Sequence, residues 1–196
     1  MPRKEKIHDM FNSIAADYDK LNHIMSLDID KSWRKRALRR ILKSTREERR
    51  AGREIDEKRR LRSIEVLDVA CGTGDFSIAI AEAMRKLAKD SSHSGKADAM
   101  GHVTGVDLSE GMLEVMKDKV AKAGLEDLIS CETGDCENLR FQDSSFDRVT
   151  VAFGVRNFEN REKGLPPFNG IMMVYDSNTG IPIEIFGTNM PSITST

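Results

Sequence analysis

Cysteine is scarce in this chain: three residues in 196, at Cys71, Cys131 and Cys136. None forms a CxxC pair and no Cys/His cluster has zinc spacing, so neither a disulfide scaffold nor a metal site is expected. An odd count in a globular chain points to a reducing compartment, with buried or incidental thiols and the cytoplasm as the expected location. Long apolar runs are missing as well. Nothing approaches the roughly 20 residues of a membrane-spanning helix. The charged start, Met1-Pro2-Arg3-Lys4-Glu5-Lys6, leads into no apolar stretch of the kind a secretory signal needs. There is no internal repeat. A net charge of −1 gives no global case for nucleic acid.

What is present suits one soluble domain with a real core, at 39% hydrophobic and 32% charged residues. Charge is uneven: the chain is strongly basic from Lys31 to Arg62 and more acidic later. Residues 43–62 hold almost no apolar side chains beyond Ala51, Ile55 and Leu61. Their alternating signs predict a solvated helix or linker, with a phosphate- or lipid-facing role for the arginines as the alternative.

Helical spacing at Ile7, Met10, Phe11 and Ile14 predicts an N-terminal helix. Trp33 to Leu42 reads as an amphipathic one, with Trp33, Ala37, Leu38, Ile41 and Leu42 inward. From Ile64 the pattern alternates. Strands are predicted over Ile64–Val69, His102–Val106, Leu128–Glu132 and Phe146–Phe153. Helices are predicted over Asp75–Ala88 and from a Ser109 cap to a stop at Gly124. Such alternation implies an α/β fold, a mostly parallel sheet with helices on both faces. Ligands on such sheets bind beyond the carboxyl ends of the strands. Two further strands, Ile171–Tyr175 and Ile181–Phe186, flank the hairpin signal Asp176-Ser177-Asn178-Thr179-Gly180.

The chemistry concentrates at the strand ends. Val66-Leu67-Asp68-Val69-Ala70-Cys71-Gly72-Thr73-Gly74-Asp75 is an apolar run that breaks into a glycine turn before a helix. Gly72 and Gly74 let a ligand approach bare backbone, and the helix aims free N–H groups at the same place. Thr73 can add a hydroxyl. Asp68, buried in the strand, needs partners and can take them from the loop N–H groups. Asp107 closes the second strand, where an acid can hold both hydroxyls of an adenosine ribose. A dinucleotide loop of GxGxxG type would need Gly or Ala at position 77, which is Ser77. Asp135, after the third strand, suits an adenine amino group, and the Cys136 backbone N–H suits the ring. The glycine turn, Asp107 and Asp135 should converge on one crevice.

These motifs come with others. Phe11-Asn12-Ser13-Ile14-Ala15-Ala16-Asp17-Tyr18-Asp19-Lys20-Leu21-Asn22, continued by Leu27 to Lys35, resembles the N-terminal motif of the menaquinone and ubiquinone biosynthesis C-methyltransferases. Val66 to Asp75 resembles their cofactor loop, and Gly105 to Met112 their ribose-binding strand end. Phe146-Asp147 with Phe153-Gly154-Val155-Arg156-Asn157-Phe158 is similar to their most distinctive signature. The likeness covers about residues 7–165. It implies a Rossmann-like class I methyltransferase fold, with S-adenosyl-L-methionine contacts at Thr73, Asp107, Asp135 and Cys136. A serine often stands in the family where this chain has Ala152. The implied reaction is methyl transfer to a ring carbon of a prenylated quinol. For that chemistry Arg156 can stabilise a phenolate, and Asn157 can orient substrate or water. Tyr18 can lie near the methyl group on a lid formed by the N-terminal helix. His23 is a base candidate on chemical grounds alone.

The expected organisation is therefore a cofactor domain over 1–165, with a helical lid at 7–42 and the charged insert at 43–62. An atypical hairpin and tail would fill 166–196. Pro166-Pro167 blocks the helix that the family would continue with. Gly164 to Gly170 has only a short likeness to the ornithine cyclodeaminase and crystallin-mu group, which carries no function here. A sheet ending at its fourth strand would expose an edge that favours a homodimer. A prenylated substrate implies transient contact with a membrane surface at the inner face, with the basic segment drawn to anionic lipid. Three alternatives stay open: a noncatalytic cofactor-binding module, a methyltransferase for another small molecule, and, least supported, a nicotinamide oxidoreductase.

Overall fold

The computed structural model describes residues 3–18, 34–35, 37–38, 41, 64–90, 100–142, 145–152, 154, 157–159, 170–175 and 182–187. The predicted alternation is realised in them. β1 (Val66–Val69) lies between β2 (Val103–Asp107) and β4 (Arg148–Val151), and β3 (Ile129–Thr133) lies beyond β2. All neighbouring strands of this β3-β2-β1-β4 sheet are parallel. β1 and β4 are buried along their whole length, as strands covered on both faces must be. Period-two alternation sends Val66 into one core and Leu67 and Val69 into the other.

The larger core packs α2 (Asp75–Asp90) and α3 (Glu110–Ala123) on the sheet. α2 contributes Phe76, Ile80, Ala81 and Met84, and α3 contributes Leu113, Met116 and Val120. Ala37 and Ile41, from a stretch whose described residues are helical, fill the same core. The buried Arg148 donates to the Ile41 carbonyl at 3.2 Å, so β4 carries its own anchor for that stretch. The α3 ends match expectation. Ser109 caps the start by accepting the Met112 amide at 3.2 Å, and Gly124 stops the helix at φ +60°, a conformation that favours glycine.

Some boundaries differ. α1 spans Arg3–Ile14, starting earlier than its apolar spacing indicates, and Met10 turns outward at 48% exposure. The inward face of α1 is set by what it covers rather than by apolarity alone. β4 is four residues long, shorter than the predicted Phe146–Phe153. The terminal hairpin, β5 (Gly170–Tyr175) with β6 (Pro182–Gly187), is antiparallel and forms its own sheet. β5 passes beside β4 without joining its ladder, so the fourth-strand edge is flanked rather than open. Trp33, His23 and the 43–62 insert lie outside the described residues.

Gly101 yields a prediction. A Cβ there would fall on the Ile64 carbonyl oxygen and 2.6 Å from the Ile64 nitrogen, main-chain atoms that cannot yield. Gly101→Ala should cost on the order of 2 kcal/mol, read as a lowered urea midpoint at unchanged slope. An unchanged midpoint would show that this approach is not tight.

Candidate functional site

The strand order reverses at β1, where β2 lies to one side and β4 to the other, and the segments leaving their carboxyl ends surround a cleft. After β1 the chain turns sharply. Ala70, Gly72 and Gly74 all take positive φ, at 54°, 56° and 79°. The left-handed region costs an alanine on the order of 1 kcal/mol, so Ala70 is held there by its surroundings. Gly154 is part of them, since a Cβ at 154 would strike the Ala70 Cβ. Nothing lies within 4 Å of a Cβ built on Gly72, so its backbone faces open space. Gly74 is different: a Cβ there would press on Met116, 2.8 Å from its Sδ.

Asp107, at the end of β2, organises the mouth. Its Oδ2 accepts the Gly72 amide at 2.8 Å and its Oδ1 accepts the Ser109 amide at 2.9 Å. One carboxylate thereby ties the glycine turn to the α3 cap. Burial pushes its acid up from the usual range, against the pull of those N–H bonds.

Asp68 lies under this mouth, 1% exposed. Two hydroxyls and one amide serve it: Ser77 Oγ donates to Oδ2 and Thr150 Oγ1 to Oδ1, each at 2.6 Å, and the Ser77 N–H also donates to the carboxylate. The parallel register explains the Thr150 contact, since Asp68 and Thr150 are paired across β1 and β4. Burial pushes the Asp68 carboxyl up to about 6, partly countered by the two hydroxyls. Thr73 is likewise buried and receives the Lys119 ammonium at 3.3 Å. Lys119 and Arg34 also pair with Asp75, Arg34 at 2.9 Å.

The cleft encloses about 770 Å³, open mouth included. Gly72, Asp107, Asp135 and Cys136 line it, together with Tyr18, Ala152 and Asn157. Asp68, Thr73 and Gly74 support the turn without reaching its wall. Arg156 lies outside the described residues. Burial, then the Asp107 charge, push the Cys136 thiol up to about 12, so it is neutral and unreactive. Among the described residues no group of three acidic, His or Cys side chains could hold a metal, and no helix is long and apolar enough to cross a membrane.

Sequence reasoning expected a lid from the N-terminal helix but missed the polar residues Lys4, His8 and Asn12 that fasten it. Lys4, Ile7, His8 and Phe11 of α1 line the cleft. Asn12 Oδ1 accepts the Ser109 hydroxyl at 2.5 Å and the Gly111 amide at 2.9 Å. His8 Nε2 meets Glu110 at 2.7 Å, and Lys4 Nζ meets Asp135 at 2.7 Å and Glu137 at 3.1 Å. Hydrogen bonds to Glu110 and then Asp9 raise the affinity of His8 for its proton. The signal for this face was the spacing 4, 7, 8 and 11, masked because two of its members are polar.

Known proteins share this fold. The solved structure of magnesium protoporphyrin IX methyltransferase (ChlM) from Synechocystis PCC 6803, with bound SAH, is similar in fold. It superposes at a TM-score of 0.58 with 17% identity, over 87% of this chain and 70% of that one. Demethylmenaquinone methyltransferase of Bacteroides fragilis is 39% identical over 163 residues, 83% of this chain and 54% of its own length. The ubiquinone/menaquinone biosynthesis C-methyltransferase UbiE of Geotalea daltonii is 36% identical over 161 residues, 82% of this chain and 56% of its own. The chain thus spans about half the length of these curated relatives. A profile of one family matches residues 2–174, and with the class I methyltransferase fold already on hand, the chain belongs to the ubiE/COQ5 methyltransferase family.

Proposed function

We propose that this chain binds S-adenosyl-L-methionine and belongs to an enzyme that methylates a ring carbon of a prenylated quinol, demethylmenaquinol or its ubiquinone-pathway counterpart. The observation that carries the reading is the cleft where the Gly72 backbone, Asp107 and Asp135 meet beneath α1. The residues fit an adenosyl group. Open space before Gly72 admits it, and the Asp107 carboxylate, which accepts wall amides on both oxygens, has lone-pair capacity left for a ribose hydroxyl. We assign Asp135, which lines the cleft with Cys136, to the adenine amino group and the Cys136 amide to the ring.

The bound donor supplies a methyl already activated on a positively charged sulfur. The protein's part is to align that methyl with the ring carbon and exclude water. In the reaction a ring hydroxyl loses a proton, the ring carbon takes the methyl, and the same carbon then loses its hydrogen as a proton. We assign Tyr18 and Asn157 to hold that hydroxyl or a water beside it, and Arg156 to the developing phenolate. Ala152 offers no hydroxyl of its own to the cleft.

The test is transfer of labelled methyl from S-adenosyl-L-methionine to demethylmenaquinol. Product is expected, with kcat/KM lowered about tenfold in Tyr18→Phe and in Asn157→Ala, the loss of one positioning hydrogen bond. Binding of S-adenosyl-L-homocysteine without any transfer would favour the second reading, a cofactor-binding module without a complete acceptor pocket. The observation behind that reading is the separate β5–β6 hairpin where a continued sheet would lie. No binding at all would end both. Contact with an anionic membrane surface, mediated by the basic residues between Lys31 and Arg62, is a further part of the proposal. It predicts salt-sensitive co-sedimentation with anionic vesicles and none with neutral ones.

A further inference from the structure

α1 is stitched across the cleft along one stripe. Lys4, His8 and Asn12 recur every fourth residue and so lie on one face. The Asn12 clasp onto Ser109 and Gly111 fixes one end over the α3 cap. Lys4 fixes the other end over the acids that follow β3, and its amide donates to Glu159 Oε1 at 2.9 Å. The Lys4 contact is different in kind, because it occupies a carboxylate on the cleft wall. Asp135 Oδ1 accepts the Glu137 amide at 2.9 Å and Oδ2 accepts the Lys4 ammonium at 2.7 Å. Both oxygens already have a donor and each keeps one lone pair, so an incoming amino N–H must share an oxygen with the Glu137 amide or compete with the Lys4 ammonium for Oδ2.

We propose that Lys4 is a built-in competitor for Asp135, so that an adenosyl ligand binds fully only when the first turn of α1 lifts and Asn12 serves as the hinge. The inference rests on the reading of Asp135 as the adenine contact. The displaced ammonium is not stranded, because Glu137 Oε2 stands 3.1 Å from it. The pair it leaves is about one-third exposed on each side. Such pairs are weak and screened by salt, so the latch sets a threshold on binding rather than a block. Burial raises the Asp135 acid, but the Lys4 and Glu137 hydrogen bonds outweigh it and hold the carboxyl below its usual range, so the pair is charged at neutral pH.

The test is a double-mutant cycle read by calorimetry and stopped-flow binding of S-adenosyl-L-homocysteine. Lys4→Met should tighten binding about threefold, mainly through a faster on-rate, the size of a released exposed ion pair. Lys4→Arg should behave as the wild type. Raising salt from ~0.01 M to ~1 M should tighten the wild type and leave Lys4→Met unmoved. In an Asp135→Ala background the gain from Lys4→Met should vanish, as coupled residues require. A gain that persists there would mean that Lys4 only steadies α1, and the latch is overturned. Binding by Lys4→Met no tighter than the wild type overturns it as well. The underlying reading fails differently: Asp135→Ala would leave affinity unchanged whichever residue stands at position 4.

Discussion

Asp107→Ala is expected to weaken binding of S-adenosyl-L-homocysteine at least about a hundredfold, roughly 2.8 kcal/mol at about 1.4 kcal/mol per tenfold. Two losses add up. The ribose hydroxyls lose their charged acceptor, and hydrogen bonds to charged groups are worth about 1.5–3 kcal/mol. The Gly72 and Ser109 amides also lose theirs, so the glycine turn is no longer tied to the α3 cap. Asp107→Asn keeps the size but offers one acceptor and one donor where two N–H groups converge. One amide then faces an NH₂, and an intermediate loss is expected. Titration calorimetry on both variants decides the matter. Binding by Asp107→Ala within threefold of the wild type would remove Asp107 from the site.

Asp68→Asn should change how stability depends on pH. The Asp68 carboxyl titrates near 6 in the fold because burial disfavours its charge, whereas an unfolded aspartate titrates near 3.9. The folded form therefore binds the proton more tightly. Protonated Asp68 costs nothing extra below about pH 4, the penalty grows as pH rises toward 6, and it is constant above that. Two pH units at 1.36 kcal/mol each give about 3 kcal/mol. Asparagine is nearly isosteric and can keep both hydroxyl contacts, as acceptor to one and donor to the other. The stability difference between Asp68→Asn and the wild type should thus move by about 3 kcal/mol in favour of the variant from pH 4 to pH 7. Urea titrations at several pH values measure it, and parallel curves would refute the assignment. Asp68→Ala, which leaves the Ser77 and Thr150 hydroxyls without their acceptor, should instead lose stability at both ends.

The sheet was legible because its signals are local. Apolar runs over β1, β2 and β4, the Ser109 cap and the Gly124 stop each need only neighbouring residues. The convergence of Gly72, Asp107 and Asp135 followed from strand alternation alone, since parallel strands bring their carboxyl ends to one side. What sequence could not supply was contact between distant segments. The partner of Asp68 across β4 required the register. The Lys119 ammonium that Thr73 accepts comes from α3, far along the chain. Lys4, His8 and Asn12 look like an ordinary solvated stripe until the acids and caps they meet, roughly a hundred residues on, are in place.

The position of β1 at the middle of the sheet also constrains how the chain assembles. β2 reaches it through a single crossover, but β4 must return past β2 and β3, and the Thr150–Asp68 contact spans 82 residues. Pairings of such long range form late and slowly. During synthesis from the N-terminus, β1, β2 and β3 are made before β4. Until Thr150 is in place one flank of β1 lacks its partner strand, and Asp68 lacks its second hydroxyl donor. Closing that flank and completing the floor of the cleft are thus one and the same pairing.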